Sequence, residues 1–175
     1  GRAVVAEGEP RHSFLTRPPV ANVSLVAVVL AVEQPSFDPD QASRFLLTAE
    51  RTGLEVILLL TKTDLLSAAA LERLVTRLKG WGYDPLALSS AAGTGIDALR
   101  QRLAGAQLSV LCGPSGVGKS SLLNQLRPDL QLRTAAVSGR LQRGRHTTRH
   151  VELFPLGPSA RVADTPGFNR PDLPD

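Results

Sequence analysis

The sequence predicts an α/β fold, a six-stranded, mostly parallel sheet with helices on both faces. From Leu25 onward, short runs rich in Val, Leu and Ile alternate with amphipathic stretches. A strand covered by helices on both faces reads as a continuous apolar run, so this alternation points to a parallel sheet. One of these runs, ending at Cys112, leads through a glycine-rich turn straight into a helical pattern. That strand–turn–helix join belongs to the phosphate-binding class of such folds.

Strands are expected at about 25–32, 55–61, 86–89, 108–112, 151–156 and 160–164, and helices at about 40–52, 68–80, 95–104 and 119–127. Asp38-Pro39 and Ser67 stand where helix starts want a side-chain cap and a first-turn proline. Gly53, Gly80 and Gly105 stand where helices want to stop. The longest stretch without clear periodicity, about 128–150, follows the glycine-rich turn and its helix, and a loop of that length is usually functional.

The 175 residues, 42% of them hydrophobic, suit one α/β domain with a buried core and leave no room for a second. The first 17 residues mix charge with short apolar pieces and read as a piece of something upstream, without the apolar core of a signal peptide. The longest apolar run, Val23 to Val32, is about half the ~20 residues of a membrane-spanning helix, so a soluble protein is expected. Cys112, the single cysteine, reads as a small hydrophobe in a buried strand. It excludes an internal disulfide and fits a reducing cytoplasm. No Cys/His cluster of zinc-ligand spacing occurs.

The net charge is +4 and the pI about 10.0, but the charge is unevenly placed. Between Arg127 and Arg149 there are six arginines and one acid, Asp129. Such a stretch suggests a polyanionic partner, nucleic acid first, although a loop facing its own bound phosphates would also need positive charge.

Gly113-Pro-Ser-Gly-Val-Gly118-Lys119-Ser120 is a complete G-x-x-x-x-G-K-S. Its glycines let successive backbone N–H groups turn inward around a β-phosphate. Lys119 then reaches the β- and γ-phosphates, Ser120 offers a hydroxyl to Mg²⁺, and the helix that follows points its positive end at the anion. The expected contacts are Gly113, Pro114, Ser115, Gly116, Val117, Gly118, Lys119, Ser120 and Ser121. The fold is therefore expected to be a P-loop NTPase that binds a nucleoside polyphosphate.

Asp164-Thr-Pro-Gly167 follows a short apolar segment and gives D-x-x-G, in which the carboxylate approaches Mg²⁺ and the Gly167 N–H senses the γ-phosphate. Alone, the same residues would read as an ordinary turn. Thr61-Lys62-Thr63-Asp64 caps the run Val56–Leu60 and matches [NT]KxD. An aspartate there accepts from both the ring N–H and the exocyclic amine of guanine, a donor pair adenine lacks. Thr61 stands where Asn is usual, and loss of the amide is expected to loosen the tie between base and phosphate loops. Ser89-Ser90-Ala91-Ala-Gly93-Thr-Gly95 resembles S-A-x-x-G-x-G, whose main-chain N–H meets the guanine carbonyl, although a plain strand-to-helix loop would look the same.

Within Gly139–His150, a threonine hydroxyl can complete the Mg²⁺ shell when GTP is bound, which makes the loop a switch. Thr148 is the first candidate and Thr147 stays open. For His146 a reading as a solvated or phosphate-contacting residue of a basic loop is equally available, and for His150 it is the preferred one.

The order TKTD, SSAAGTG, GPSGVGKS, GRHTT, DTPG closely resembles the small-ribosomal-subunit biogenesis GTPases, the RsgA (YjeQ) family, over nearly the whole chain. Arg17–Val23 and Thr165–Arg170 resemble it as well. In that order the guanine-reading motif precedes the phosphate loop, a circular permutation of the usual GTPase topology, which a cut at one surface loop and a join of the old termini would produce. The resemblance implies GTP/GDP and Mg²⁺ as ligands, GTP hydrolysis, the small subunit and its rRNA as partners, and a cytoplasmic, monomeric protein with no membrane association. It implies an oligonucleotide-binding barrel ending at residues 1–17, a GTPase domain over 18–170, and at 171–175 the start of a further domain that would carry any zinc. Phe168 occupies the place of the usual water-orienting glutamine, and the resemblance makes His146 the substitute, acting with Lys119 and Thr148. A GTP-dependent rRNA-binding checkpoint with little hydrolysis is the alternative. A guanylate-kinase-like phosphotransferase, which GPSGVGKSS also resembles, has no need of TKTD or DTPG.

Overall fold

The computed structural model describes residues 14–16, 19–21, 23–130 and 152–164. β1 (Phe14–Thr16) and β2 (Pro19–Ala21) pair antiparallel, on either side of the domain boundary expected at residue 17. A six-stranded sheet follows: β3 (Leu25–Ala31), β4 (Glu55–Thr61), β5 (Leu86–Ala87), β6 (Leu108–Cys112), β7 (Glu152–Leu156) and β8 (Ala160–Asp164), in the order β5-β4-β3-β6-β8-β7. All neighbours are parallel except β7, which runs antiparallel to β8 at the edge. The helices are α1 (Pro39–Glu50), α2 (Ala68–Gly80), α3 (Ile96–Ala104) and α4 (Lys119–Leu126).

Every residue of β3 is buried because both its faces are covered. Val26, Val28 and Leu30 meet Ala42, Phe45 and Leu46 of α1 and Leu78 of α2 on one side. Leu25, Ala27 and Val29 meet Leu99 and Leu103 of α3 and Leu122, Leu123 and Leu126 of α4 on the other. A run of seven apolar residues is what two apolar interfaces demand of one strand.

Asp38 caps α1 by accepting from the Asp40 and Gln41 amides, and Ser67 caps α2 by accepting from Ala70 N. Gly53 adopts φ +74° just beyond α1. Gly80, by contrast, is the last residue of α2, and it is Gly82 that turns left-handed at φ +100°. Gly105 closes α3 with a right-handed φ of −81°.

Among the described residues, one buried side-chain oxygen, Ser109 Oγ on β6, has no hydrogen-bond partner. A buried unpaired hydroxyl costs about 1–3 kcal/mol. Ser109→Ala is therefore expected to raise stability by about 1 kcal/mol, allowing for the small gap it leaves. A lower denaturation midpoint would show that the hydroxyl is in fact satisfied. Cys112, on the same strand, is 2% exposed, and burial pushes its thiol up to about 12 against the opposing pull of Lys119. It is an inert core residue.

The chain runs outward from β3 through β4 to β5, then returns to place β6 on the other side of β3. The strand order reverses between β3 and β6, and ligands of open α/β sheets bind beyond the strand ends at such a point.

Candidate functional site

The loop leaving β6 crosses this switch point and can do so only through glycine. Gly113 has φ +154°, and a Cβ there would lie 2.2 Å from the Val29 carbonyl oxygen of β3. Gly116 and Gly118 also take positive φ, at 85° and 102°. Gly118 sits at the start of α4 without a side-chain cap, which leaves the first-turn amides to whatever anion the loop encloses. Lys119 Nζ donates to the Gly113 and Pro114 carbonyls at 2.7 and 3.1 Å. Its cationic head is thus gathered over the loop by the kind of acceptor a phosphate oxygen provides.

The base-reading loop leaves β4 next to it. Thr61, 4% exposed, donates its hydroxyl to the Val117 carbonyl at 2.5 Å, and its Cβ lies 3.9 Å from where a Cβ of Gly118 would stand. The expected loosening does not occur: the threonine hydroxyl itself ties the two loops because the strand ends close enough for the short side chain to reach. Lys62, left-handed at φ 61°, donates to the Gly116 carbonyl at 2.9 Å and to the carbonyl of Gln34 in the loop after β3. Thr63 donates from both its amide and its hydroxyl to the Leu88 carbonyl, at 3.1 and 2.9 Å.

Asp64 accepts at Oδ1 from Ser89 Oγ at 2.7 Å, and Ser89 Oγ in turn accepts from the Ala92 amide at 3.0 Å. The Ser89–Thr94 turn is closed by two backbone bonds of 3.0 Å. A cavity of about 210 Å³ opens between the loops, lined by Thr61, Lys62, Asp64, Leu65, Ser90, Ala91, Gly118 and Ser121. The three motifs therefore converge on one cavity: Asp64 and Lys62 come from the loop after β4, Ser90 and Ala91 from the loop after β5, and Gly118 and Ser121 from the glycine-rich loop and the first turn of α4.

Asp164 ends β8 in register with Leu111 of β6, beside the strand that feeds the phosphate loop. His146, Thr147, Thr148, Gly167 and Phe168 lie outside the described residues. Among the described residues no group of three or more His, Cys, Asp or Glu could hold a metal ion, and no helix is long and apolar enough to cross a membrane.

The sequence profile of the RsgA GTPases matches residues 8–174. The chain belongs to the RsgA GTPase family. Among similar proteins is the small ribosomal subunit biogenesis GTPase RsgA of Synechococcus sp. (strain CC9605), 97% identical over 175 residues, which are all of this chain and 58% of that protein. The protein of the same name from Prochlorococcus marinus (strain MIT 9303) is 64% identical over 173 residues, covering 99% of this chain and 54% of its own length. The chain thus spans little more than half the length of the curated relatives it matches.

Of the solved structures, YjeQ from Thermotoga maritima aligns with a TM-score of 0.76 at 33% identity, over 94% of this chain and 55% of that one. YloQ, described as a circularly permuted GTPase, aligns at 0.65 and 33%, over 94% and 51%. The fold of this RsgA GTPase family member is accordingly the circularly permuted GTPase fold.

Two residues at the site escaped the sequence reading. Leu65 lines the cavity and could have been suspected from its place directly after Asp64. Gln125, whose side-chain amide donates to the Ser90 carbonyl at 2.9 Å, lies one helical turn beyond Ser121, a spacing that places the two on one face of α4.

Proposed function

We propose that the chain is the GTP-binding and GTP-hydrolysing core of a cytoplasmic factor that acts, as a monomer, in late assembly of the small ribosomal subunit. The observation that carries this reading is the convergence of Asp64, the Ser89–Ser90 turn and the Gly113–Ser121 loop on one cavity. Asp64 reads the two guanine donors, Thr61, Lys62 and Thr63 hold the loop that presents it, and the main chain at Ser90 and Ala91 meets the base carbonyl. The amides of the phosphate loop and Lys119 take the phosphates.

The donor set suits Mg²⁺, a hard cation that prefers oxygen ligands and keeps several waters. Ser120 stands in the first turn of α4, and Asp164 ends the strand two places across the sheet from β3. Thr148 completes the protein's share. When bound, the ion neutralises charge on the β- and γ-phosphates. His146 positions water for in-line attack, while Lys119 and the loop amides stabilise the charge that develops. Residues 1–17 and 171–175 belong, in this reading, to an oligonucleotide-binding barrel and to a further, zinc-binding domain. The names of the relatives support the ribosomal setting, and the arginines of 127–149 suit rRNA as the surface met there.

Lys119→Ala tests the phosphate end of the site. Loss of a charge-assisted hydrogen-bonding group should raise the Kd for GDP about a hundredfold without unfolding the domain. Micromolar GDP binding retained in a folded variant would remove Lys119 from the site.

A further inference from the structure

We propose that Gln125 is a positioning residue for base recognition, fixing the Ser90–Ala91 peptide so that the Ala91 N–H faces the 6-oxo group of the bound purine. This rests on the guanine reading above and deepens it.

The base loop makes its own bonds sparingly. Ser89 and Thr94 exchange their amides, and Ala92 N donates to Ser89 Oγ. Among the described residues the Ser90 and Ala91 amides have no partner, and both residues line the cavity. What holds this stretch lies outside the loop: Gln125 Nε2 donates to the Ser90 carbonyl at 2.9 Å.

In a trans peptide the carbonyl and the following N–H point in opposite directions. A Ser90 carbonyl held toward Gln125 therefore turns the Ala91 N–H away from Gln125. Ser121, one turn nearer the start of α4, lines the cavity, as do Ser90 and Ala91 themselves. The Ala91 donor, turned from Gln125, is left for a base in the cavity that Ala91 lines, set by a side chain that is not itself among the lining residues.

Gln125 is itself anchored. Its main-chain carbonyl accepts from Arg100 of α3 at 3.0 Å, and Arg100 is paired with Asp97 at 2.9 Å. The same helix begins with the phosphate loop's Lys119, so one rigid element sets both the phosphate-binding turn and the orientation of the base-reading peptide.

The test is a ligand-by-variant comparison on the full chain, with Gln125→Met, which keeps the volume but loses the donor, and Gln125→Lys, which keeps a donor. Kd is measured for GDP, for IDP, which keeps the 6-oxo group but lacks the 2-amine, and for 6-thio-GDP, whose sulfur is a weak acceptor. Gln125→Met should weaken GDP and IDP equally, about tenfold, and 6-thio-GDP much less, while Gln125→Lys stays close to the unsubstituted chain. Equal losses for all three ligands, or no loss for any, overturns the proposal. Failure of the guanine reading looks different, since the unsubstituted chain would then bind GDP no more tightly than IDP.

Discussion

Asp64→Asn is expected to weaken GDP binding about 10³-fold or more and to bring XDP to comparable or better affinity, because a buried donor set left facing a donor is the strongest form of rejection. The geometry says which way the new amide would turn. Ser89 Oγ accepts from the Ala92 amide and gives its proton to Asp64 Oδ1 at 2.7 Å. An amide at position 64 that keeps this bond meets the proton with its oxygen, which leaves its NH₂ toward the base. Guanine presents donors there and clashes electrostatically, whereas xanthine presents its 2-oxo group and gains a bond. Competition of GDP and XDP against a fluorescent nucleotide measures both effects. Unchanged GDP affinity with no gain for XDP would remove Asp64 from base recognition.

The elements that could be read from sequence are those whose signal is local. β3 is a continuous apolar run, and β6 one broken only by Ser109, because each is buried along its length, and the caps at Asp38 and Ser67 act within three residues of themselves. The strand expected at 86–89 stops at Ala87, since the chain beyond it is recruited by the base loop. The Leu88 carbonyl takes two bonds from Thr63, and Ser89 turns back on Thr94.

The same division runs through the site. The phosphate loop is a contiguous motif with a local mechanism and stands out in any sequence. Thr61 bonding Val117 and Gln125 bonding Ser90 span 56 and 35 residues, and nothing in either neighbourhood announces the partner. A threonine in place of asparagine looked like a weakened tie because sequence gives the length of a side chain but not the distance it has to cover.

Hydrolysis by this chain alone is expected to be slow and little changed by His146→Ala. Phe168 carries a phenyl ring where a glutamine would orient water, and a ring can neither donate to water nor accept from it. In the function proposed above the task falls to His146, in a stretch whose sequence combines several arginines with no periodic apolar face. Neutralising those arginines on rRNA phosphates releases counterions and favours docking, and docking can order a switch so that His146 meets the attacking water. Partner-induced completion of a GTPase site is worth about 10³–10⁵ in rate. A protein extended to the full length of its curated relatives should accordingly be stimulated by small ribosomal subunits by about 10³-fold or more, and His146→Ala should abolish most of that stimulation while leaving GDP affinity unchanged. The stimulation should also fall steeply as salt rises from 50 to 200 mM, a range over which several phosphate contacts lose about 10³-fold in affinity. Full stimulation of the His146→Ala protein would make the histidine a basic loop residue only, and fast hydrolysis by the chain alone would show that the water is placed without a partner.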